Sequence, residues 1–421
     1  MNEIVAGIDI GSSKVCTILG ELNKNNQMQI LGVGTAECKG IKKGIIIDID
    51  NAAKAISDSV EQAERMSGMG IKSAYINIAG GHVSLFKNRG VIAVSGDDRE
   101  ISEEDVERVI QNARIADIPV DMEIVDAIPL QFIVDGYEGI KDPVGMVAVR
   151  LEVDVYLLIA TTSTVQNLVK SVERCNINVS GIVIDPLSSG EVVLSKDEKE
   201  LGVALIDVGG EVTDISIFKD GNLIYTKLIP VGGNHITNDI SIGLKIPLSE
   251  AEALKRQYGC ASLSMIDSAE DISVNNRAAA SNAKTISISS LTDIIEARVQ
   301  EIYYLVNREL ELSSLKSSLS AGIVLTGGGL SFIKGSAEVG NSIIGLPIRI
   351  GVPNYIGVAS PIYSTATGMV KYKLTKKKYN VLERNWENDN EDTNVAAFKK
   401  SKKDNGSNFI NKIKDFFTDF F

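Results

Sequence analysis

Hydrophobic and polar positions alternate along most of the chain between a period of two and a period near 3.6. IVAGIDIG and VCTILGEL are short aliphatic runs around a turn, the pattern of two strands. Asp50 stands where it can cap a helix whose apolar face includes Ala53, Ile56, Val60 and Ala63. SAYINIAG reads as the next strand. Ser102 with Asp105 opens a second helix in capping-box fashion, with Val106, Val109, Ile110 and Ala113 on one side. VGMVAVRLEVDVYLLIA holds two strand-like runs, TSTVQNLVKSVERCN is helical, and VSGIVIDP returns to a strand. Residues 261–290, rich in Ser, Asn and Ala, read as loops between short elements. Residues 291–312 predict a helix with Ile294, Ile295, Val299, Ile302, Leu305 and Val306 on one face. The alternation predicts an α/β protein with mixed sheets.

The pattern repeats once. AGIDIGSSKVCTIL (6–19) resembles ALIDVGGEVTDISIF (204–218), aligning Asp9 with Asp207 and Gly11 with Gly209. The offset of 198 residues is too long for a solenoid period and predicts two similar facing halves. Each copy is strand, Asp-x-Gly, polar turn, strand. In the first turn Gly11 lets backbone approach a phosphate, the N–H groups and hydroxyls of Ser12 and Ser13 donate to it, and Lys14 adds positive charge. Gly209, Gly210 and Thr213 make the second turn. A glycine hairpin explains either turn alone equally well; two in similar halves point to a clamp on a polyphosphate. Asp9 and Asp207 would then hold a hydrated Mg²⁺ rather than cage it. Gly327, Gly328 and Gly329 permit backbone to lie flat against a base or an α-phosphate, or simply turn. Gly232 and Gly233 precede a helix whose N-terminus faces the phosphates in this reading. Glu252 and Lys255, three apart on one helix face, read as an exposed ion pair or as a ribose contact.

Composition narrows the class. The 421 residues carry a formal charge of -12, which argues against nucleic acid as a partner. The four cysteines show no metal-ligand or disulfide spacing and read as small buried hydrophobes; His82 and His235 read as structural. Neither a signal peptide nor a membrane-spanning run is visible, so a soluble cytoplasmic body is expected. The C-terminal end departs from this picture. Five of the ten Phe residues lie in the last 13 positions, where uniform scatter would put fewer than one. Residues 371–408 carry ten Lys/Arg against six Asp/Glu, and residues 409–421 two of each, which leaves the body at -16. Residues 372–407 read as a disordered linker. On a helical wheel Phe409, Ile410, Ile413, Phe416, Phe417, Phe420 and Phe421 fill an arc of about 140° with no polar intrusion. Such a stripe commonly docks on its own core, but the linker favours a membrane-surface helix. Lys399, Lys400, Lys402 and Lys403 would each add up to about 1 kcal/mol near anionic lipid.

GIDIGSSK, IDVGGEVTDI and LTGGG together resemble the actin/Hsp70/sugar-kinase ATPase superfamily. IVDAIPLQFIVDGYEGIKDPVGMVAVRLEVDVYLLIA, PVGGNHITNDISIGL, AEALKRQYG, GLPIRIGVPNYIGV and PIYSTATGMVKY narrow the resemblance to the bacterial cell-division protein FtsA, over essentially 1–372. The resemblance implies a two-lobed actin-like α/β fold with ATP and Mg²⁺ in the cleft. It implies subdomain 1A at 1–82 and 164–195, a replacement subdomain 1C at 83–163, subdomain 2A at 196–230 and 306–371, and subdomain 2B at 231–305. The linker at 372–407 and the amphipathic helix at 408–421 follow. Gly11, Ser12, Ser13 and Lys14 then form the first phosphate loop, and Asp207, Gly209, Gly210 and Thr213 the second. Gly327, Gly328 and Gly329 border the adenosine, and Glu252 and Lys255 lie near the ribose. Asp185 falls where the superfamily polarises an attacking water, with Asp207 as a second residue for positioning it; many relatives carry Glu at the Asp185 position, so hydrolysis is expected to be slow at most. The family implies self-polymerisation, binding of the C-terminal peptide of the tubulin homologue FtsZ at 231–305 near Arg298, and tethering of FtsZ filaments to the inner face of the plasma membrane at the division site. Arg298 as a plain solvated helix charge is an equal alternative. One rival is a pilus-assembly actin homologue, which would not need the amphipathic tip. Another is a small-molecule kinase, for which no acceptor-site acid or base is evident.

Overall fold

The computed structural model describes residues 3–96, 98–266, 271–274 and 284–375. The expected linker from 376 onward and the amphipathic helix at 408–421 lie outside the described residues. Among those described, no helix is long and apolar enough to cross a membrane.

Two five-stranded sheets share one plan. In the first, strand Ile4–Ile10 pairs antiparallel with Lys14–Leu22, which pairs antiparallel with Met28–Glu37. On its other edge Ile4–Ile10 runs parallel to Ser73–Ile78, which runs parallel to Asn178–Ile184. In the second, Val203–Val208, Thr213–Lys219 and Asn222–Ile229 form the antiparallel arm. Ile323–Thr326 and Ile348–Ile350 form the parallel arm. The repeat read at Asp9 and Asp207 is thus a repeat of whole sheets. The central strands are nearly continuous apolar runs because both faces are covered. Ala204, Ile206, Val208, Ile215 and Ile217 join one core with the helix Ile288–Leu312. Val5, Cys16 and Ile18 join another with the helix Ser364–Thr375. That last helix crosses Asp185–Val193 so closely that a Cβ on Gly368 would stand 1.8 Å from the carbonyl oxygen of Ser188.

A third sheet is wholly antiparallel, in the order Val83–Ala93, Arg150–Thr161, Met122–Val134, Tyr137–Ile140. Helix Glu103–Ala113 buries Val106, Val109, Ile110 and Ala113 against it, and the capping box expected from Ser102 and Asp105 is formed.

Three local expectations are corrected. Asp48, not Asp50, caps the helix Ile49–Ser67: its backbone is extended and its carboxylate accepts the Asn51 N–H at 3.0 Å. Asp50 sits in the first turn and pairs with Arg174. The face that helix buries runs through Ala52, Ala55, Ile56, Val60 and Ala63, with Ala53 at its margin. Only the second half of VGMVAVRLEVDVYLLIA is a strand. Gly145 at φ +83° breaks the first half into a loop, tied to Ile101 by two backbone hydrogen bonds and to Arg99 by one, and its valines are exposed.

Candidate functional site

The two Asp-x-Gly turns are the same hairpin built twice. The Gly11 N–H donates to the Lys14 carbonyl at 3.0 Å, and the Gly209 N–H to the Val212 carbonyl at 2.9 Å. The repeated sheets bring the turns together. A Cβ on Gly210 would lie 1.9 Å from Ser13 Oγ, and the Asn234 amide donates to the same oxygen at 3.1 Å. The Gly209 and Gly210 carbonyls are turned to the helix Gly233–Leu244, accepting the N–H groups of Gly233 at 2.9 Å and Asn234 at 2.7 Å. A trans peptide points its N–H opposite its carbonyl, so the N–H groups of Gly210 and Glu211 face away from that helix. These two, with those of Ser12 and Ser13, find no acceptor among the described residues. Four unspent donors in adjoining turns fit an anion with several oxygens.

Gly327 closes the same region. Its φ of +82° favours glycine, and a Cβ there would lie 2.2 Å from Asp207 Oδ1. The Gly329 N–H holds the Val208 carbonyl at 2.7 Å, and Gly329 meets Gly233 so closely that a Cβ on the latter would come within 2.7 Å. Gly328 faces Ile362, whose carbonyl accepts the Lys14 ammonium; that ammonium also lies 4.9 Å from the centre of the Tyr363 ring. Lys14 therefore links the first hairpin to the segment that packs on Gly328.

Four carboxylates sit at the base of the turns. Burial pushes Asp9 up to about 6 and Asp207 up to about 7, and the charge of Lys14 pulls both back. Burial, then the neighbouring Asp9 and Asp214, drives Asp185 well above the usual carboxylate range. Asp214, opposite Asp207 in the hairpin, is pushed by burial up to about 7, although the Gly81 N–H donates to it at 3.2 Å. Carboxylates this costly to ionise together suit a centre that receives positive charge. Among the described residues no three metal-type side chains form a cage. A cation held by Asp9 and Asp207 with water completing its shell matches that donor set.

The raised values have a sign. Between about pH 4 and pH 7 the folded protein holds protons that the unfolded chain releases, so stability present at low pH is lost as pH rises through this window. Asp214→Asn should therefore stabilise the ligand-free protein at pH 7.5 by about 2–4 kcal/mol and have little effect near pH 4. Thermal melting at the two pH values checks this; equal shifts at both would contradict it.

Comparison with known proteins fits this architecture. Residues 204–368 match the family model for cell division protein FtsA, and residues 80–159 the model for the SHS2 domain inserted in it. The chain is 37% identical to cell division protein FtsA of Pseudomonas aeruginosa over 383 residues, covering 89% of this chain and 90% of that one. It is 40% identical to that of Bacillus subtilis over 372 residues, covering 88% and 83%. The chain belongs to the FtsA cell-division family. Its two-lobed actin-like fold also matches, at a TM-score of 0.60 and 15% identity, a chain of the PilM–PilN type IV pilus biogenesis complex, covering 88% of this chain and 99% of that one. At 0.54 and 14% identity it matches MreB 5 of Spiroplasma citri bound to AMPPNP, covering 88% and 96%.

The other residues expected at the site have defined surroundings. Lys255 is buried, donating to the Gly233 carbonyl at 3.0 Å and Thr237 Oγ1 at 2.8 Å, with Glu252 Oε2 at 2.7 Å. It is no exposed pair: it supports the first turn of the helix that meets the second hairpin. Thr213 spends its hydroxyl proton on the Val231 carbonyl at 2.7 Å. His235 accepts the Gly232 N–H at 3.1 Å, and His82 bonds the Lys43 carbonyl at 2.8 Å; both fix backbone. Cys16, Cys38 and Cys260 are buried and Cys175 half-buried, all as free thiols. Arg298 forks onto Asp239 at 2.6 and 3.1 Å and also holds Glu301, on the helix Ile288–Leu312. Asn77, Asn234 and Asp214 carry no motif of their own; Asp214 alone leaves a signal in the sequence, as the residue that a hairpin centred between Gly210 and Glu211 sets opposite Asp207.

Proposed function

We propose that this FtsA-family chain binds ATP between its two hairpin turns, polymerises, and tethers FtsZ filaments to the inner face of the plasma membrane through its C-terminal helix. The observation that carries the nucleotide reading is the pair of adjoining hairpins with four unspent N–H groups above two carboxylates. In this reading those groups and the Ser12 and Ser13 hydroxyls take the β- and γ-phosphates, and Lys14 offsets their charge from beneath. Gly327, Gly328 and Gly329 border the adenosine, and the Glu252–Lys255 pair holds Gly233 and its helix beside the ribose. Asp9 and Asp207 hold Mg²⁺ through water, and the ion supplies charge neutralisation on the phosphates. Asp185 orients a water whose oxygen bonds the γ-phosphorus while the bond to the ADP oxygen breaks. The water's proton passes to the Asp185 carboxylate and then to solvent. Asp is one methylene shorter than Glu, and positioning is most of this catalysis, so turnover is slow. The MreB neighbour bound to AMPPNP supports a nucleotide in a fold of this kind.

The subdomain bounds given above divide the labour: the cleft lies between 1A and 2A, self-contacts involve the body, and 2B receives the FtsZ C-terminal peptide. Arg298 is the residue proposed to meet that peptide, its guanidinium held rigidly by Asp239. Arg298→Glu should weaken binding of a labelled FtsZ C-terminal peptide at least tenfold by fluorescence anisotropy, without changing the melting temperature by more than a few degrees. Unchanged peptide affinity would remove Arg298 from the interface.

A further inference from the structure

The strand Ser73–Ile78 lies between Ile4–Ile10 and Asn178–Ile184 and runs parallel to both. Parallel register brings three chain positions to one end of the sheet: Asp9, Asn77 and Asp185. Asn77 is 4% exposed, and its amide is fully engaged. Its Oδ1 accepts the Ile10 N–H at 2.6 Å, while its Nδ2 donates one proton to Asp9 Oδ1 at 3.1 Å and the other to Asp185 Oδ1 at 2.8 Å. Both donor protons of one amide are therefore spent on two carboxylates that repel each other. The second oxygens of Asp9 and Asp185 have no hydrogen-bond partner among the described residues.

We propose that Asn77 is a positioning residue that clamps Asp9 and Asp185 by one oxygen each, so that their remaining oxygens stay fixed for the metal's water shell and for the attacking water. The proposal rests on the nucleotide reading above. A side chain with no donors would let the two carboxylates turn apart; a misplacement of about 1 Å in such a constellation can cost a hundredfold in rate. The competing account makes Asn77 only a buried acceptor that satisfies the Ile10 N–H.

The two accounts separate in a double-mutant cycle on the full chain. Asn77→Leu keeps the branched shape and removes all three bonds; Asn77→Ser is the reserve variant if Leu does not fold. In single-turnover hydrolysis of bound ATP, Asn77→Leu should slow the reaction at least tenfold in the wild-type background and by a clearly smaller factor in an Asp185→Ala background, where only the hold on Asp9 remains to be lost. Affinity for metal-free ADP, read by calorimetry, should stay within threefold throughout. Asn77→Leu at the wild-type rate, or an equal loss in both backgrounds, would overturn the clamp and leave the backbone role. Normal ADP binding by a wild type with no measurable hydrolysis would instead sink the reading of Asp185, and failure to bind ADP or Mg-ATP would sink the nucleotide site itself.

Discussion

Asp207→Ala is expected to weaken Mg-ATP binding at least a hundredfold, about 2.7 kcal/mol, in equilibrium titration. Asp207 is next to last in the central strand of the second sheet, where Thr326 lies beside it and Asp214 opposite. It closes on Gly327 so tightly that only glycine fits there. Removing it takes away one of two proposed holders of the cation and leaves Asp9 as the other. The same change should not unfold the protein. Burial holds Asp207 near 7 and makes its charge a cost to the nucleotide-free fold at neutral pH, so Asp207→Ala should melt at or above the wild-type temperature at pH 7.5. Loss of binding with a retained or raised melting point is the expected signature. Unchanged affinity would mean that the turns are misread.

Removing residues 406–421 is expected to abolish co-sedimentation with anionic vesicles while leaving nucleotide binding intact. Seven apolar residues on one arc, five of them Phe, contribute at most about 1.5–3 kcal/mol each when buried in lipid. Ordering a segment of this length offsets much of that, because short helices are marginal in water. One copy should thus bind weakly and reversibly, and many copies on one filament firmly. A linker spanning residues 372–407 has a typical reach of roughly 30–36 Å, enough to hold a body of net charge -16 off a like-charged surface. Equal pelleting of the full and shortened chains would remove the membrane helix from the account. Pelleting that does not rise with ATP would detach it from polymerisation.

The hairpins and their duplication were legible because Asp-x-Gly between aliphatic runs has one economical backbone solution, and the two copies lie close to identical in pattern. What the sequence could not display was the parallel arm of each sheet. Parallel neighbours are distant in the chain, and SAYINIAG carries no motif, so nothing in it marks Asn77 as the bridge between Asp9 and Asp185. The same limit applies to Lys255. Spacing places it on a face with Glu252, yet burial against Gly233 depends on how the preceding helix packs on its own. The slip from Asp48 to Asp50 arose because two aspartates flank the same helix start and backbone conformation alone chooses between them. VGMVAV has strand composition, but Pro143 and Gly145 prevent a regular ladder there. Asp185 was identified through its place before Pro186; that its carboxylate is strained by three other acids emerged only from the packing of both sheets.

The most direct test of the tether is sedimentation of anionic vesicles with FtsZ, with this protein and Mg-ATP present. The account predicts that FtsZ comes down with the vesicles when the full chain is present, and stays in solution with the chain ending at residue 405 or with Arg298→Glu. FtsZ pelleting equally with all three proteins would contradict it.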